Sequence, residues 1–307
     1  MERVPYLLST GDPRANLIWG NRKSLSYVYV ELTNRCNFGC EYCQVDIDKY
    51  KDMDVQTITG IIDQLCDLDV FELRLGGGEP LMYNDISDVV KYAKSKNMFV
   101  WLCTNGYFFS KETASRLKSS GLTGIRISID STVPVVHDNV RKQEGAWIKC
   151  LDAIFNAKLF DIEVVISMTI GSHNIDEYNQ MCEFARTHNC QMSSHFIMPK
   201  GKGISFPKFD KKKATTIIDD LHGEKYCVAA TDTIYIDVEG RVSACSFLKP
   251  TASVHDMTIE EILKSSEMKK FSKPIGGDKC AKCKYGKISF CPISNICRGG
   301  CWVKHEK

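Results

Sequence analysis

Nowhere in its 307 residues does the chain hold an apolar run long enough to cross a membrane as a helix. No basic n-region followed by an apolar h-region opens it either, so the expectation is a cytoplasmic protein with no membrane partner. Net charge is nearly missing as well: 40 Lys and Arg against 38 Asp and Glu leave a formal +2. A balance this close to zero gives no electrostatic footprint for nucleic acid. No histidine precedes His137, and no internal repeat is visible beyond a strand–helix unit. Cysteine, by contrast, is abundant at 15 residues. Reducing compartments do not maintain disulfides, so this many cysteines point to metal binding, and an iron–sulfur site would bring oxygen sensitivity. Hydrophobic content of 43% with 25% charged residues describes an ordinary globular protein, long enough for one large domain and a smaller one.

Apolar β-rich runs alternate with amphipathic helical patterns across the first two thirds of the chain. Strands are predicted at Ser26–Leu32, Val70–Leu75, Met98–Cys103, Gly124–Asp130, Ile162–Ile170 and Met192–Met198. Helices are predicted near 54–67, 84–97, 110–120, 144–158 and 174–188, with Asp54, Asn84, Ser110 and Asn174 at N-cap positions. Strict alternation implies right-handed crossovers and a parallel sheet, and the nearly continuous apolar strands suit a sheet covered on both faces. The fold class is therefore α/β. Six units suit a partial (β/α)6 barrel, and an open doubly wound sheet fits the same pattern. Near residue 200 the alternation gives way to a lysine-rich stretch read as a linker, with a helix at 211–222. Thr233–Asp237 and Arg241–Cys245 flank Glu239-Gly240, a hairpin signal, and a helix near 257–271 precedes a cysteine-dense tail. That tail has little hydrophobic mass of its own and is expected to be held by metal. The domain boundaries expected are an N-terminal extension at 1–25, a barrel at 26–200, the linker and helix at 201–222, and a small cysteine-rich domain at 223–307.

The first cysteine array is CNFGCEYC, with Cys36, Cys40 and Cys43 at CxxxCxxC. Three thiolates on one loop hold three irons of a four-iron cluster and leave the fourth open to an exogenous ligand. The competing reading is zinc, which needs a fourth ligand that no nearby histidine provides. C-x3-C-x2-C, with the aromatic Tyr42 before its last cysteine, resembles the signature of radical S-adenosylmethionine (SAM) enzymes. The resemblance implies the partial (β/α)6 barrel, a SAM-binding 4Fe–4S cluster and contact of Tyr42 with adenine.

Gly76-Gly77-Gly78-Glu79-Pro80 follows the second predicted strand. Glycines let backbone approach a ligand closely and Glu79 can accept from an ammonium. In the family this GGEP-like stretch, Gly77 to Pro80, holds the methionyl amino group. Polar residues at further strand ends, where barrels carry function, resemble family positions near SAM: Asn105 after the third strand, Ser128 and Asp130 at the end of the fourth. Met168 on the fifth strand is a candidate for the adenine pocket. Each also has a plain reading as a cap, turn or packing residue.

Cys227, Gly240 and Cys245 are followed by Cys280, Cys283, Cys291, Cys297 and Cys301. The pattern resembles the SPASM extension of radical SAM enzymes in its first half. In the second half Cys291 lies inside the run and no cysteine follows Cys301, which departs from the family. Two fully cysteine-ligated clusters would need eight thiolates. Three arrangements stay open: two auxiliary clusters with one iron lacking a cysteine, a single auxiliary cluster as in the shorter twitch domains, or a zinc knuckle at Cys280, Cys283, Cys297 and Cys301. Cys66, Cys103, Cys150, Cys182 and Cys190 read as core residues. Cys103 has a second reading, because at a strand's C-terminal end it can donate a hydrogen atom to a substrate radical.

The resemblance implies reductive cleavage of SAM to a 5′-deoxyadenosyl radical and hydrogen abstraction from substrate. The substrate expected is a peptide undergoing maturation by cross-link, oxidation or epimerisation. The alternative is a small molecule such as an aminocyclitol or sugar, and a non-enzymatic electron-transfer protein is the third reading. An electron donor such as flavodoxin or ferredoxin is the implied partner.

Overall fold

In the computed structural model, residues 25–46, 50–197, 201–205, 230 and 232–272 are described, together with the backbone of 294–295 and 300–301. Cys227, Cys280, Cys283, Cys291 and Cys297, the N-terminal extension up to residue 24 and the helix expected at 211–222 lie outside the described residues.

Strands β1 (Tyr27–Thr33), β2 (Glu72–Gly77), β3 (Phe99–Thr104), β4 (Gly124–Ser128), β5 (Glu163–Ile170) and β6 (Gln191–Phe196) are joined by helices. All five pairings between neighbours are parallel, as the alternation predicts. The connecting helices are α1 (Val55–Asp67), α2 (Ile86–Ser95), α3 (Lys111–Ser120), α4 (Pro134–Arg141) and α5 (Ala146–Leu159) in succession, and α6 (Tyr178–Thr187) before β6. The sheet order is β6-β5-β4-β3-β2-β1-β7-β8-β9, and β6 and β9 are not paired with each other, so the barrel is partial. Here β7 (Thr233–Ile236) runs parallel to β1, and β8 (Arg241–Ser243) and β9 (Ala252–Ser253) follow antiparallel. The expected hairpin is therefore β7–β8, and it extends the barrel's own sheet. The helix expected near 257–271 is divided into α7 (Ile259–Lys264) and α8 (Ser266–Lys269) by Ser265, which is extended and caps α8. The backbone of Ser294–Asn295 pairs antiparallel with Gly300–Cys301.

Local chemistry explains the elements. Helix α1 buries Ile58, Ile61, Ile62 and Leu65, a stripe at helical spacing, and Asp54 caps it by accepting from the Thr57 N–H at 2.8 Å. Ser110 caps α3 in the same way, and Gly121 ends that helix in the left-handed region at φ 99°. On the strands, Val28, Val30, Leu32, Ile125, Ile127, Ile166 and Ile170 face the helices in one continuous core. The alternate residues face the barrel interior, where most are polar. Helix α4 was not expected. Its signals are Pro134 at the first turn and buried His137, Val140 and Arg141 at i, i+3 and i+4.

Candidate metal centre and cofactor pocket

The three cysteines lie on the loop that leaves β1, and its start is fixed before the first of them. Thr33 bridges to Asp52, and its hydroxyl donates to the Asp52 carboxylate at 2.6 Å. Arg35 grips the same carboxylate with two donors, at 3.0 and 2.6 Å, and also donates to the Met82 carbonyl at 2.6 Å. Across from it runs the glycine triplet. A Cβ on Gly77 would stand 2.1 Å from the Thr33 carbonyl oxygen, and one on Gly78 would stand 2.2 Å from that of Arg35. Gly77 also holds φ at +121°, where a side chain is strained. The close approach these two glycines permit is therefore to the cysteine loop itself. The Gly78 and Glu79 N–H groups donate to Thr33 and Arg35 carbonyls, each at 2.8 Å.

Cys40 is buried and Cys36 and Cys43 are half-buried, packed with Phe38, Ala146 and Tyr107. All three are free thiols. Burial pushes Cys36 up to about 12 and raises Cys40 and Cys43 as well, so without a metal these groups stay protonated. Binding a cation that takes thiolates would offset that penalty. Among the described residues, no three His, Cys, Asp or Glu side chains converge as a single ion requires. Three thiolates leave a structural zinc one protein ligand short, whereas in a four-iron cluster each thiolate meets its own iron. Donors stand around the sulfurs: the Phe38 N–H is 3.4 Å from Cys36 Sγ, Asn105 Nδ2 is 4.0 Å from it, and Arg141 Nη1 is 4.0 Å from Cys40 Sγ. The residues present fit the cluster.

A buried polar clamp ties this loop to the ends of β4 and β5. Asp130 is fully buried, and one carboxylate oxygen accepts from the Tyr42 hydroxyl and from Arg141 Nε at 2.7 Å. The other accepts from the Thr169 N–H at 2.9 Å. Burial pushes the Asp130 carboxyl upward, but the Arg141 guanidinium and His137 outweigh it and hold the group below its ordinary range. Arg141 also lies over the Tyr42 ring, its guanidinium carbon 5.4 Å from the centroid. His137 Nδ1 accepts from the Asp130 N–H at 3.2 Å, and Cys150 Sγ lies 3.8 Å from His137 Nε2. Asn174, expected as a helix cap, instead donates to the Asp130 and Thr169 carbonyls at 2.7 and 2.9 Å, stitching the two strand ends together. Glu79 is equally enclosed: Thr104 Oγ1, the Asn105 N–H and the Leu81 N–H donate to its carboxylate at 2.6, 2.8 and 3.1 Å. Burial still raises it to about 7. Pro80 is buried at the start of the short turn behind it.

Cys36, Cys40, Cys43, Tyr42, Glu79, Asn105 and Asp130 are thus brought together at one end of the barrel. Ser128 ends β4 on the interior side. Met168, expected to line an adenine pocket, lies instead in the helix-facing core at 0% exposure, because strand alternation turns Thr169 to the interior. Cys103 is on the interior face of β3, paired in register with Arg126 of β4. Cys245 is half-buried against the core, and only the backbone of Cys301 is described. Sequence reasoning missed Arg141, His137 and the Asp52–Arg35 grip. The helical spacing of α4 was the signal for the first two, and no local pattern announces the third.

The family model described as the radical SAM superfamily matches residues 30–185, just over half of the chain. A second, described as an iron–sulfur cluster-binding domain and named SPASM, matches 227–284. That match takes in Cys227, Cys245, Cys280 and Cys283 and stops before Cys291. The chain is 25% identical over 315 residues to the mycofactocin maturase MftC of Mycolicibacterium smegmatis, covering 88% of this chain and 76% of that protein. It is 24% identical over 309 residues to an AdoMet-dependent heme synthase of Methanosarcina barkeri, covering 84% and 88%. Among solved structures, Streptococcus suis SuiB bound to its precursor peptide SuiA superposes with a TM-score of 0.70 at 13% identity, covering 94% of this chain and 80% of SuiB. No helix among the described residues is long and apolar enough to cross a membrane.

Proposed function

The chain belongs to the radical SAM superfamily, carries an iron–sulfur SPASM match and uses SAM and iron–sulfur clusters as cofactors; on that premise we propose that it modifies a peptide by abstracting hydrogen from it. One observation carries the radical chemistry: three free cysteines, one buried and two half-buried, stand beside a clamp that places Arg141 4.0 Å from Cys40 Sγ. The cluster with SAM bound supplies one-electron cleavage to the 5′-deoxyadenosyl radical. The chain's residues do the rest. Cys36, Cys40 and Cys43 would hold three irons, and Tyr42 and Asp130 fix the loop that carries them. Arg141 is the cation suited to the SAM carboxylate, and Asn105 and Ser128 offer polar contacts at the strand ends. Glu79 and the Gly77–Pro80 stretch would offer the surface that receives the methionyl amino group.

The peptide is supported by relatives named as a maturase and as an enzyme bound to a precursor peptide. Auxiliary iron–sulfur clusters, which Cys227, Cys245, Cys280, Cys283, Cys291, Cys297 and Cys301 would hold, would give the substrate electron an exit. A flavodoxin or ferredoxin supplies the electron that starts the reaction. Cys103 favours epimerisation as the outcome: it faces the interior, and burial raises its thiol so that the hydrogen stays on sulfur, ready for donation.

Reconstituted protein, incubated anaerobically with SAM and dithionite, is expected to release 5′-deoxyadenosine; none released overturns the radical reading. Adding short peptides encoded beside this gene in deuterated solvent then tests the substrate. Solvent deuterium on carbon indicates epimerisation through Cys103, and loss of two hydrogens indicates oxidation or cross-linking. No mass change in any such peptide overturns the peptide assignment.

A further inference from the structure

Arg126 occupies the middle of β4 between Ile125 and Ile127, both fully buried in the helix-facing core, so alternation turns its side chain into the barrel. Its neighbours there are other interior residues. Arg74 on β2 is satisfied: it pairs with Glu72 Oε1 at 2.5 Å and lies 3.5 Å over the Tyr27 ring. Arg126 has neither a hydrogen bond nor an ion pair among the described residues, although it feels the charges of Arg74, Glu72 and Cys103. It does not reach Glu72, whose second oxygen, Oε2, has no hydrogen-bond partner among the described residues. Trp101 Nε1, two residues before Cys103 on β3, is another buried donor without a partner there. The Trp101 ring packs against Gly124, where a Cβ would come within 2.4 Å of it.

Arg126 is half-buried, so its guanidinium keeps part of its solvent, but enclosure weakens that hydration and the like charge of Arg74 adds to the cost of leaving it unpaired. Burial first, then Arg74, pull its pKa below the usual guanidinium value. A structural role would have closed it onto Glu72. Its planar fork of donors is instead open to a group that returns two acceptor oxygens. We propose that Arg126 binds a carboxylate of the substrate inside the barrel, beside Cys103. This rests on the peptide reading, since the anions that an unmodified peptide carries are its terminal and side-chain carboxylates.

The test is equilibrium binding to full-length, anaerobically reconstituted protein with SAM, followed by ligand-observed NMR. N-acetylalanine presents a terminal carboxylate, N-acetylglutamate α-amide a side-chain carboxylate, and N-acetylalanine amide none. At least one carboxylate is expected to bind about ten-fold tighter than the amide, as a charge-assisted hydrogen bond implies. Which of the two binds tells whether the chain terminus or an acidic side chain is held. Arg126→Gln should abolish the preference and Arg126→Lys should keep part of it. Equal binding of all three probes by the unsubstituted protein overturns the proposal without any variant, as does a preference that survives Arg126→Gln. The peptide reading fails separately, by the absence of 5′-deoxyadenosine or of any altered peptide.

Discussion

The mouth of the barrel and its interior, adjacent along the same strands, differ in how fully their charged and polar groups are paired. At the mouth, Asp130 receives Tyr42, Arg141 and the Thr169 N–H, and Glu79 receives Thr104, Asn105 and Leu81. Deeper in, Arg126 has no partner among the described residues, and Trp101 Nε1 and Glu72 Oε2 are buried without one. Hydrogen-bonded networks hold a shape before any ligand arrives, and unpaired donors acquire their partner with it. The cysteine loop is therefore built by the chain itself, whereas the interior is completed by what it binds.

The largest expected effect breaks the mouth outright. Cys40→Ala removes one of three cluster thiols, so iron content should fall by one cluster's share and 5′-deoxyadenosine release should fall to background in the reconstituted protein. Retained cleavage of SAM would show that the loop is not the cluster site. Next comes a matched pair of charge deletions. Asp130→Asn leaves Arg141 buried without its counter-charge and should cost about 3–5 kcal/mol in urea unfolding. Arg126→Met removes a charge that balances nothing and should stabilise by roughly 1 kcal/mol. The opposite signs are the point; two losses of similar size would erase the distinction between the regions.

Much of this was legible in the sequence. Alternating runs located all six barrel strands because each strand buries one apolar face against helices, and Asp54 and Ser110 act as the caps they resemble. The cysteine spacing, Tyr42, Glu79, Asn105 and Asp130 were read from motif and strand-end position, and the structure gathers them. Their partners were not legible. Arg141 reaches Asp130 from the short helix α4, and Arg35 meets Asp52 across 17 positions of chain. Such pairings depend on where loops return, which no local pattern encodes. Met168 was misplaced by a single residue of register, enough to move a side chain from interior to core. Asn174 looked like a cap because Asx residues cap helices, yet its amide was drawn to the two strand-end carbonyls.

A smaller test sharpens the claim that the mouth is prebuilt. Gly78→Ala places a methyl 2.2 Å from the Arg35 carbonyl oxygen, a backbone atom that cannot swing away. Overpacking of this kind costs about 1–3 kcal/mol. The larger consequence is displacement of the loop that begins at Arg35, so iron uptake should drop several-fold more than stability does. Normal iron content in Gly78→Ala would mean that the loop tolerates movement.

The two regions each hold a histidine that burial pushes down to about 4: His137 at the mouth and His195 in the interior. An unfolded histidine titrates near 6.5, so between about pH 4 and 6.5 the unfolded chain binds the proton that the native one refuses. Stability from each histidine is therefore fully present above pH 6.5 and lost as pH falls toward 4. Glu79, raised to about 7 by burial, works against them, because the native state holds its proton while the unfolded one releases it. His195→Gln should flatten the acid limb by about one proton, or about 1.4 kcal/mol per pH unit, in unfolding followed from pH 7 to 4. His137→Gln should flatten it equally. The variants should part at pH 7.5, where only the mouth histidine holds the Asp130 N–H, at 3.2 Å. There His137→Gln is expected to lose about 1 kcal/mol and some iron. His195, whose Nε2 lies 3.1 Å from the Thr169 hydroxyl, can be replaced without loosening the cysteine loop. Equal iron loss in both variants would mean that mouth and interior behave as one network.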